Sequence, residues 1–287
     1  MKKLRVFQTI VGIDMPDAYF NGHMEKFFCD DSCDASVMIS VINDKMIEPP
    51  PNATEESCIP GHTVYAFDGY KYILRSEYDK ITGYQYNNEY TNFVITINDT
   101  ITRDDATVID ALKIEISSVL RRIFIMLAAI KNGVFFHSVS LEYGGEAIAF
   151  SAVSETGKTT HANLWKEAYA NVAMINGDSA YLIWENHKAY IYGSPWCGTS
   201  DVSMNMKAPV KAIVFLEQAM ENTIEKLNIP DAFMRLSSRC FMPLWDKVLM
   251  LKALNAAEEL SHAVNCYLLK CLPDNDAVKV CYNGIYG

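Results

Sequence analysis

The sequence has 287 residues, of which 50% are hydrophobic and 21% are charged, and its formal net charge at pH 7 is −10. A chain of this length can bury one large core or two smaller ones. The acidic balance argues against nucleic acid and against an anionic membrane surface as main partners, because both reward basic patches on a protein.

The sequence carries no strong targeting signal. The segment Met1–Ile10 has the basic start of a signal peptide, but it lacks a long apolar stretch and a small-residue cleavage site. The best apolar run, Ile123–Ile130, is too short to cross a bilayer. The eight cysteines form no C-x-x-C pair, so we expect reduced and mostly buried thiols rather than a metal site. These features predict a cytoplasmic protein.

Residues 1–105 carry the pattern of a β-rich domain. Short apolar or alternating segments are separated by turns that contain Asp and Gly, which is typical of strands. No catalytic constellation stands out among them. We predict an antiparallel meander with strands at 5–11, 36–42, 64–67, 69–74 and 92–97.

A long helix is predicted next, with Asp104 and Asp105 as candidate caps for a helix from Ala106 to Lys131. Two strands at 134–142 and 147–153 then form a hairpin. Apolar residues recur along the helix at helical spacing, which predicts one buried face. They are Ile109, Leu112, Ile116, Leu120, Ile123 and Leu127.

The segment 154–160, Ser-Glu-Thr-Gly-Lys-Thr-Thr, follows this hairpin and precedes a predicted helix. A strand, a tight loop, Gly-Lys-Thr and a helix form the context of a phosphate-binding loop. Backbone N–H groups at the helix start would face a polyanion, Lys158 would neutralise it, and Thr159 would coordinate Mg²⁺. A surface turn without a ligand is the alternative. The candidate nucleotide-binding residues are Ser154, Glu155, Thr156, Gly157, Lys158, Thr159 and Thr160.

Two residues outside the loop are further site candidates. Asp178 follows the apolar strand 172–175, where a Mg²⁺-holding or base carboxylate belongs after a phosphate loop. A simple turn aspartate is the alternative. His137 lies in the strand that pairs with the loop strand, so it is either a packing residue or a neighbour of the site. The loop Gly193–Thr199 suits a pocket wall, although a plain turn has the same composition.

The rest of the second half alternates strands and helices, which is the pattern of an α/β domain. Arg235 and Arg239 receive no role here, since we expect both to be solvated; the alternative is that one of them contacts a phosphate or the acceptor in the pocket. In chain order we predict hairpin strands at 180–184 and 189–192, a strand at 212–216, a helix from Ile229, a helix at 244–261, a strand at 265–270 and a helix at 274–282.

Four stretches carry a family likeness: 136–140 (Phe-His-Ser-Val-Ser), 149–150 (Ala-Phe), 154–160 and 177–178 (Gly-Asp). They resemble the nucleotide core of ATP-dependent phosphoenolpyruvate carboxykinases, and their order and spacing are also similar to HPr kinase/phosphorylase. The likeness is closest to the short bacterial HPr-kinase-like proteins, which share an N-terminal β-rich part. It implies an α/β fold with a P-loop core of the HPr kinase/PEP carboxykinase type at 106–287 and an N-terminal β-rich domain at 1–105.

Carried over by position, the resemblance implies that Lys158 holds the β- and γ-phosphates and that Thr159 and Asp178 hold Mg²⁺. Activation of the acceptor is the alternative role that the resemblance gives Asp178, and His137 would lie beside the metal. The implied catalytic residues are therefore Asp178, Lys158 and His137. The implied metal residues are Thr159, Asp178 and His137. ATP and Mg²⁺ are the implied cofactors.

The sequence departs from the family pattern at three positions. Ala152 and Glu155 replace loop glycines, and Gly177 stands where HPr kinases have the first of two adjacent Asp residues. The carboxykinases' oxaloacetate-binding arginines have no match, so carboxykinase activity is not expected.

The function expected from the resemblance is that of a transferase, an ATP-dependent kinase acting on a hydroxyl of a peptide or small protein. The alternative is a catalytically weak nucleotide-binding module that regulates peptide maturation or carbon use. The intact Lys158, Thr159 and His137 favour the enzyme, whereas the single Asp and the irregular loop favour the module. The expected partners are a nucleotide and a peptide or small-protein acceptor, with neither nucleic acid nor membrane, and a homo-oligomer is left open.

Overall fold

The computed structural model describes residues 1–30, 32–44, 48–75, 80–101 and 105–287. By their contacts these residues form two compact units. The first unit contains Met1–Leu127 and Leu244–Lys247, and the second contains Ala128–Pro243 and Val248–Gly287. The units divide within a long helix, and the boundary between domains at residue 105 stays a prediction.

The first unit contains the β-rich part of the chain. Its strands are β1 (Lys2–Val6), β2 (Thr9–Asp14), β3 (Val37–Asp44), β4 (Thr54–Ile59), β5 (His62–Phe67), β6 (Tyr70–Arg75), β7 (Ile81–Asn87) and β8 (Asn92–Asn98). In the described part of this unit they form one sheet in the order β1-β2-β3-β8-β7-β6-β5-β4. Neighbours from β4 to β8 are antiparallel, as predicted. Strands β4 and β7 were not predicted.

The predicted antiparallel arrangement is wrong for β3, which pairs in parallel with both β2 and β8. Parallel neighbours need a crossover connection instead of a tight turn. The connection between β2 and β3 contains the short helix α1 (Gly22–Glu25). The apolar pattern of a strand does not encode the direction of its neighbour, so strand β3 could be predicted and its pairing could not.

Helix α2 (Ala106–Ile130) confirms the predicted amphipathic helix. The Asp105 carboxylate accepts a hydrogen bond from the Thr107 N–H at 2.8 Å, which caps the helix. The second predicted cap, Asp104, lies outside the described residues. Of the predicted stripe, Ile109 is half-buried, and the members at most 3% exposed are Leu112, Ile116, Leu120, Ile123 and Leu127. Burying each such side chain is worth about 1.5–3 kcal/mol, so the stripe contributes more to stability than the cap does.

The second unit is a ten-stranded sheet, counted over its described residues, with helices packed against it. Its helices are α3 (Lys158–Ala168), α4 (Ile229–Ser237), α5 (Lys247–Ala263, whose first residue belongs to the first unit) and α6 (Asn275–Tyr286). Its strands are β9 (Gly133–His137), β10 (Val139–Tyr143), β11 (Glu146–Ser151), β12 (Ala173–Asn176), β13 (Ser179–Glu185), β14 (Lys188–Tyr192), β15 (Lys207–Gln218), β16 (Thr223–Lys226), β17 (Cys240–Phe241) and β18 (Asn265–Cys271).

Strand β15 lies between β11 and β18 and pairs in parallel with both. Parallel strands buried on both faces read as continuous apolar runs, which is why the sequence predicted all three. The core on one face joins β11 to helices α3 and α6 through side chains such as Phe150, Trp165 and Val278. The three strands end at the same edge of the sheet. The chain is therefore a mixed α/β protein with two large sheets. No helix within the described ranges is long and apolar enough to cross a membrane.

Candidate functional site

The segment between β11 and α3 has the predicted order of strand, loop and helix. Residues 152–157 form the loop, and Gly157 caps the helix with a φ of 110°. A Cβ built on Gly157 meets nothing within 4 Å, so the left-handed backbone and not a lack of space requires glycine there. Glu155 also has a left-handed backbone, with a φ of 64°, which costs a non-glycine residue about 1–2 kcal/mol. Its side chain is exposed.

Lys158 folds back over this loop. Its ammonium donates a hydrogen bond to the Ala152 carbonyl at 3.3 Å. Burial lowers the pKa of Lys158; the Asp178 carboxylate opposes this shift and the Arg239 cation adds to it. Ala152 is 3% exposed and belongs to the apolar core, and its backbone is not left-handed, so alanine is tolerated where the motif has glycine.

Asp178 lies in the turn between β12 and β13, where the buried amide of Asn176 fixes the backbone. The Asn176 side-chain oxygen accepts hydrogen bonds from the N–H groups of Asp178 at 2.9 Å and Ser179 at 2.8 Å. The Asn176 NH₂ group donates to the Ser194 carbonyl at 3.0 Å. The Ser179 hydroxyl donates to Asp178 Oδ2 at 2.8 Å. The sequence did not single out Asn176, because Asn before Gly reads as an ordinary turn signal.

The loop Gly193–Thr199 packs directly on this turn. A Cβ on Gly198 would lie 2.9 Å from Asp178 Cβ, and a Cβ on Gly177 would lie 1.8 Å from the Ser200 hydroxyl. The loop therefore forms a wall beside Asp178. There is no room for a side chain at residue 177 unless Ser200 moves. This crowding is consistent with glycine, and not a second aspartate, at this position.

His137 meets Asp178 from the end of β9. Its Nδ1 lies 3.5 Å from Asp178 Oδ1, and no described residue gives that nitrogen a hydrogen bond. The His137 N–H donates to the Arg239 carbonyl at 2.9 Å, and the His137 carbonyl accepts from the Ser151 hydroxyl at 2.7 Å. Burial lowers the pKa of His137, as does Lys158, whereas Asp178 opposes the shift. The imidazole is therefore neutral at pH 7.

Arg239 lies next to this site through its backbone, because its carbonyl accepts the His137 N–H at 2.9 Å, and the expectation that its side chain is solvated stays a prediction. Its cation acts electrostatically on both Lys158 and His137. Arg235 instead forms an ion pair with Glu217 at 2.8 Å, at the end of β15. The two arginines thus differ in surroundings although they are one helical turn apart in sequence.

The oxygen donors near the loop match the preferences of Mg²⁺. This ion usually takes one or two carboxylates together with substrate phosphates and waters. Asp178 and the exposed Thr159 hydroxyl can supply such oxygens, whereas the imidazole of His137 suits softer metals better. Within the described ranges, no group of three or more His, Cys, Asp and Glu side chains is arranged to hold a metal ion on its own.

No protein-family model matches the sequence, and no curated protein matches it. Among solved structures, the chain is similar to the HPr(Ser) kinase/phosphatase from Coxiella burnetii, with 11% sequence identity and a TM-score of 0.32. The similarity covers 52% of this chain and 89% of that chain. A similarity at this level does not support any statement about activity, so the functional proposal depends on the residues of the site.

Proposed function

We propose that this chain is an ATP-dependent phosphotransferase of the HPr-kinase-like type, with a P-loop at 152–157 and a hydroxyl of a peptide or small protein as acceptor. The observation that carries the proposal is the convergence of Lys158, Asp178 and His137 beside a loop whose glycine caps a helix. Asp178 Oδ1 lies 3.5 Å from His137 Nδ1, and the charges of Lys158 and Asp178 act on His137, although these groups are distant in sequence.

The loop and helix α3 supply the phosphate site in this proposal. The first N–H groups of a helix have no partner within the helix and carry a positive partial charge, which suits a polyanion. Lys158 would exchange its hydrogen bond to the Ala152 carbonyl for one to a phosphate oxygen. Arg239 would supply a second cation on the same side, and its planar guanidinium suits bidentate contact with phosphate.

Asp178 and His137 supply the proton chemistry. The acceptor oxygen bonds to the γ-phosphorus as the bond from that phosphorus to the bridging oxygen of ADP breaks, and the hydroxyl proton passes to the Asp178 carboxylate. The neutral His137 then lies close enough to Asp178 to share that proton. Bound Mg²⁺, held by Asp178 and Thr159, would neutralise phosphate charge. Charge neutralisation and positioning are the main requirements of phosphoryl transfer.

Titration calorimetry with Mg²⁺-ATP tests the phosphate site. Lys158→Ala should weaken binding by about tenfold or more, because a hydrogen bond to a charged group is worth about 1.5–3 kcal/mol. Lys166→Ala, on an exposed position of the same helix, is the matched control and should bind as the wild type does. Equal affinity of all three proteins would remove the assignment of the loop.

The second candidate function is a nucleotide-binding regulatory module with little catalysis. It is favoured by Gly177, which leaves Asp178 as a single carboxylate, and by the strained Glu155 in the loop. Asp178→Asn separates the two, because loss of a general base typically costs about 10²–10⁴-fold in rate. If the chain is an enzyme, Asp178→Asn should show such a loss of phosphoryl transfer or ATP hydrolysis with the fold intact. If the chain is a regulatory module, the wild type should show no turnover and Asp178→Asn should bind Mg²⁺-ATP as the wild type does.

A further inference from the structure

A cavity of about 590 Å³ opens on the loop and is lined by neither His137, Asp178 nor Lys158. We call it the strand-end cavity; its walls are loop residues 155–157, Thr160 and His161 of α3, residues 216 and 218–220 at the end of β15, and residues 271–273 at the end of β18. Small-molecule sites typically measure about 300–1,000 Å³, so its size fits a ligand. Its place also fits, because open α/β sheets bind ligands beyond the carboxyl ends of parallel strands.

The walls of the strand-end cavity are largely apolar, and the cavity is open to solvent. Leu216, Leu272 and Pro273 contribute apolar surface. Met220, which also lines the cavity, is 88% exposed. A flexible thioether side chain left in water beside an apolar cavity is suited to cover a flat ring, because methionine adapts its shape to its contacts.

One buried polar group of the cavity has a hydrogen bond still to make. His161 is 3% exposed, and its Nε2 accepts the indole N–H of Trp165 at 3.2 Å. Because Nε2 accepts, the proton of the neutral imidazole is on Nδ1, and that N–H has no acceptor among the described residues. Burying an unsatisfied donor is unfavourable. Nδ1 itself is closed to solvent, so an acceptor on a ligand in the cavity would satisfy it after a small shift of the His161 ring or of a wall residue.

We infer that the strand-end cavity receives the purine ring of the bound nucleotide. This inference rests on the proposed function, since it assigns the phosphates of the same ligand to the loop. Thr156 and Gly157 belong both to the loop and to the cavity wall, so one molecule can occupy the two together. A purine offers flat apolar faces for the walls and ring nitrogens as acceptors for His161.

Comparison of Mg²⁺-ATP with Mg²⁺-tripolyphosphate, which has the phosphates and no base, tests this assignment. Cys271 is half-buried in the cavity wall, so its alkylation by iodoacetamide reports on occupancy. Mg²⁺-ATP should slow alkylation of Cys271, as followed by mass spectrometry, and Mg²⁺-tripolyphosphate should not. Equal alkylation rates with saturating Mg²⁺-ATP and without ligand would overturn the inference.

A variant that fills the cavity gives an independent measurement. Ala219→Trp should weaken Mg²⁺-ATP by about tenfold and leave tripolyphosphate unchanged, whereas the matched control Ala170→Trp, on an exposed turn after α3, should change neither. If Ala219→Trp does not fold, Met220→Ala at the exposed mouth should still weaken Mg²⁺-ATP by about threefold. Suppose that folded Ala219→Trp keeps the wild-type affinity for Mg²⁺-ATP while Lys158→Ala loses affinity. The purine ring would then bind elsewhere, and the proposed function would remain valid. If neither ligand binds in a manner that depends on Lys158, the phosphate loop itself is refuted.

Discussion

Protonation of His161 should link pH to the stability of the helix that follows the loop. Burial lowers the pKa of His161 from 6.5 to about 4. The ring packs edge-on against Phe150, with centroids 4.8 Å apart, and cannot be hydrated without opening this core. Because the pKa is lower in the folded chain, the unfolded chain binds the proton first as pH falls. The stabilisation is therefore fully present above pH 6.5 and is lost as pH falls towards 4.

The magnitude follows from the two pKa values. At about 1.4 kcal/mol per pH unit, they correspond to about 3 kcal/mol in total, of which about 2 kcal/mol is lost between pH 7 and pH 5. Denaturant unfolding at pH 5, 6 and 7 should show this loss in the wild type, and His161→Gln should remove it. His262→Gln, at an exposed position of α5, is the control and should keep the wild-type slope. Identical slopes for wild type and His161→Gln would show that His161 is not held neutral, and the assignment of its proton to Nδ1 would lose its support.

Three further substitutions, one of them with a control, test the loop and its surroundings. Glu155→Gly relieves a left-handed backbone and removes a negative charge near the phosphates, so calorimetry should show Mg²⁺-ATP binding at least as tight as in the wild type. Gly157→Ala places a Cβ at a φ of 110° and should lower the free energy of unfolding by about 1–2 kcal/mol, measured by denaturant titration; no change would contradict the backbone argument. Arg239→Ala should weaken Mg²⁺-ATP by about tenfold, whereas Arg235→Ala, which removes the ion pair with Glu217, should change affinity by less than about twofold. Equal effects of the two arginine variants would exclude Arg239 from the site.

The helices and strands that could be predicted from the sequence are those in which the spacing of apolar residues shows which side chains are buried. Helix α2 follows from the spacing of Leu112 to Leu127, and the central strands of the second unit follow from their apolar runs. Periodicity carries no information on the partner of a strand. The parallel pairing of β3 and the two-residue strand β17 therefore became visible only in the structure.

The candidate site also contains residues that could be predicted from the sequence and residues that could not. The loop residues are consecutive, so their spacing alone predicted the arrangement of strand, loop and helix. Arg239 reaches the site because β17 pairs with β9, which aligns the Arg239 carbonyl with the His137 N–H. A strand of two residues has no periodicity to detect. Asn176 was missed because its bonds to the N–H groups of Asp178 and Ser179 are those of an ordinary turn, and only its bond to the Ser194 carbonyl depends on the fold.

The surroundings of Asp178 bear on whether a single carboxylate is enough for catalysis. A turn aspartate without a role needs no neighbours that orient its side chain. Here a fully buried Asn176 holds the turn, the Ser179 hydroxyl orients one carboxylate oxygen, and Gly198 presses close against the side chain. Such orientation by surrounding residues is what a reacting group requires. The second oxygen faces His137 Nδ1 at 3.5 Å, a neutral imidazole that no described residue hydrogen-bonds at that atom. Asp178 and His137 can therefore share the proton released by the acceptor, a role in which a second aspartate would otherwise assist. On this reasoning, the proposed kinase chemistry does not require a carboxylate at position 177.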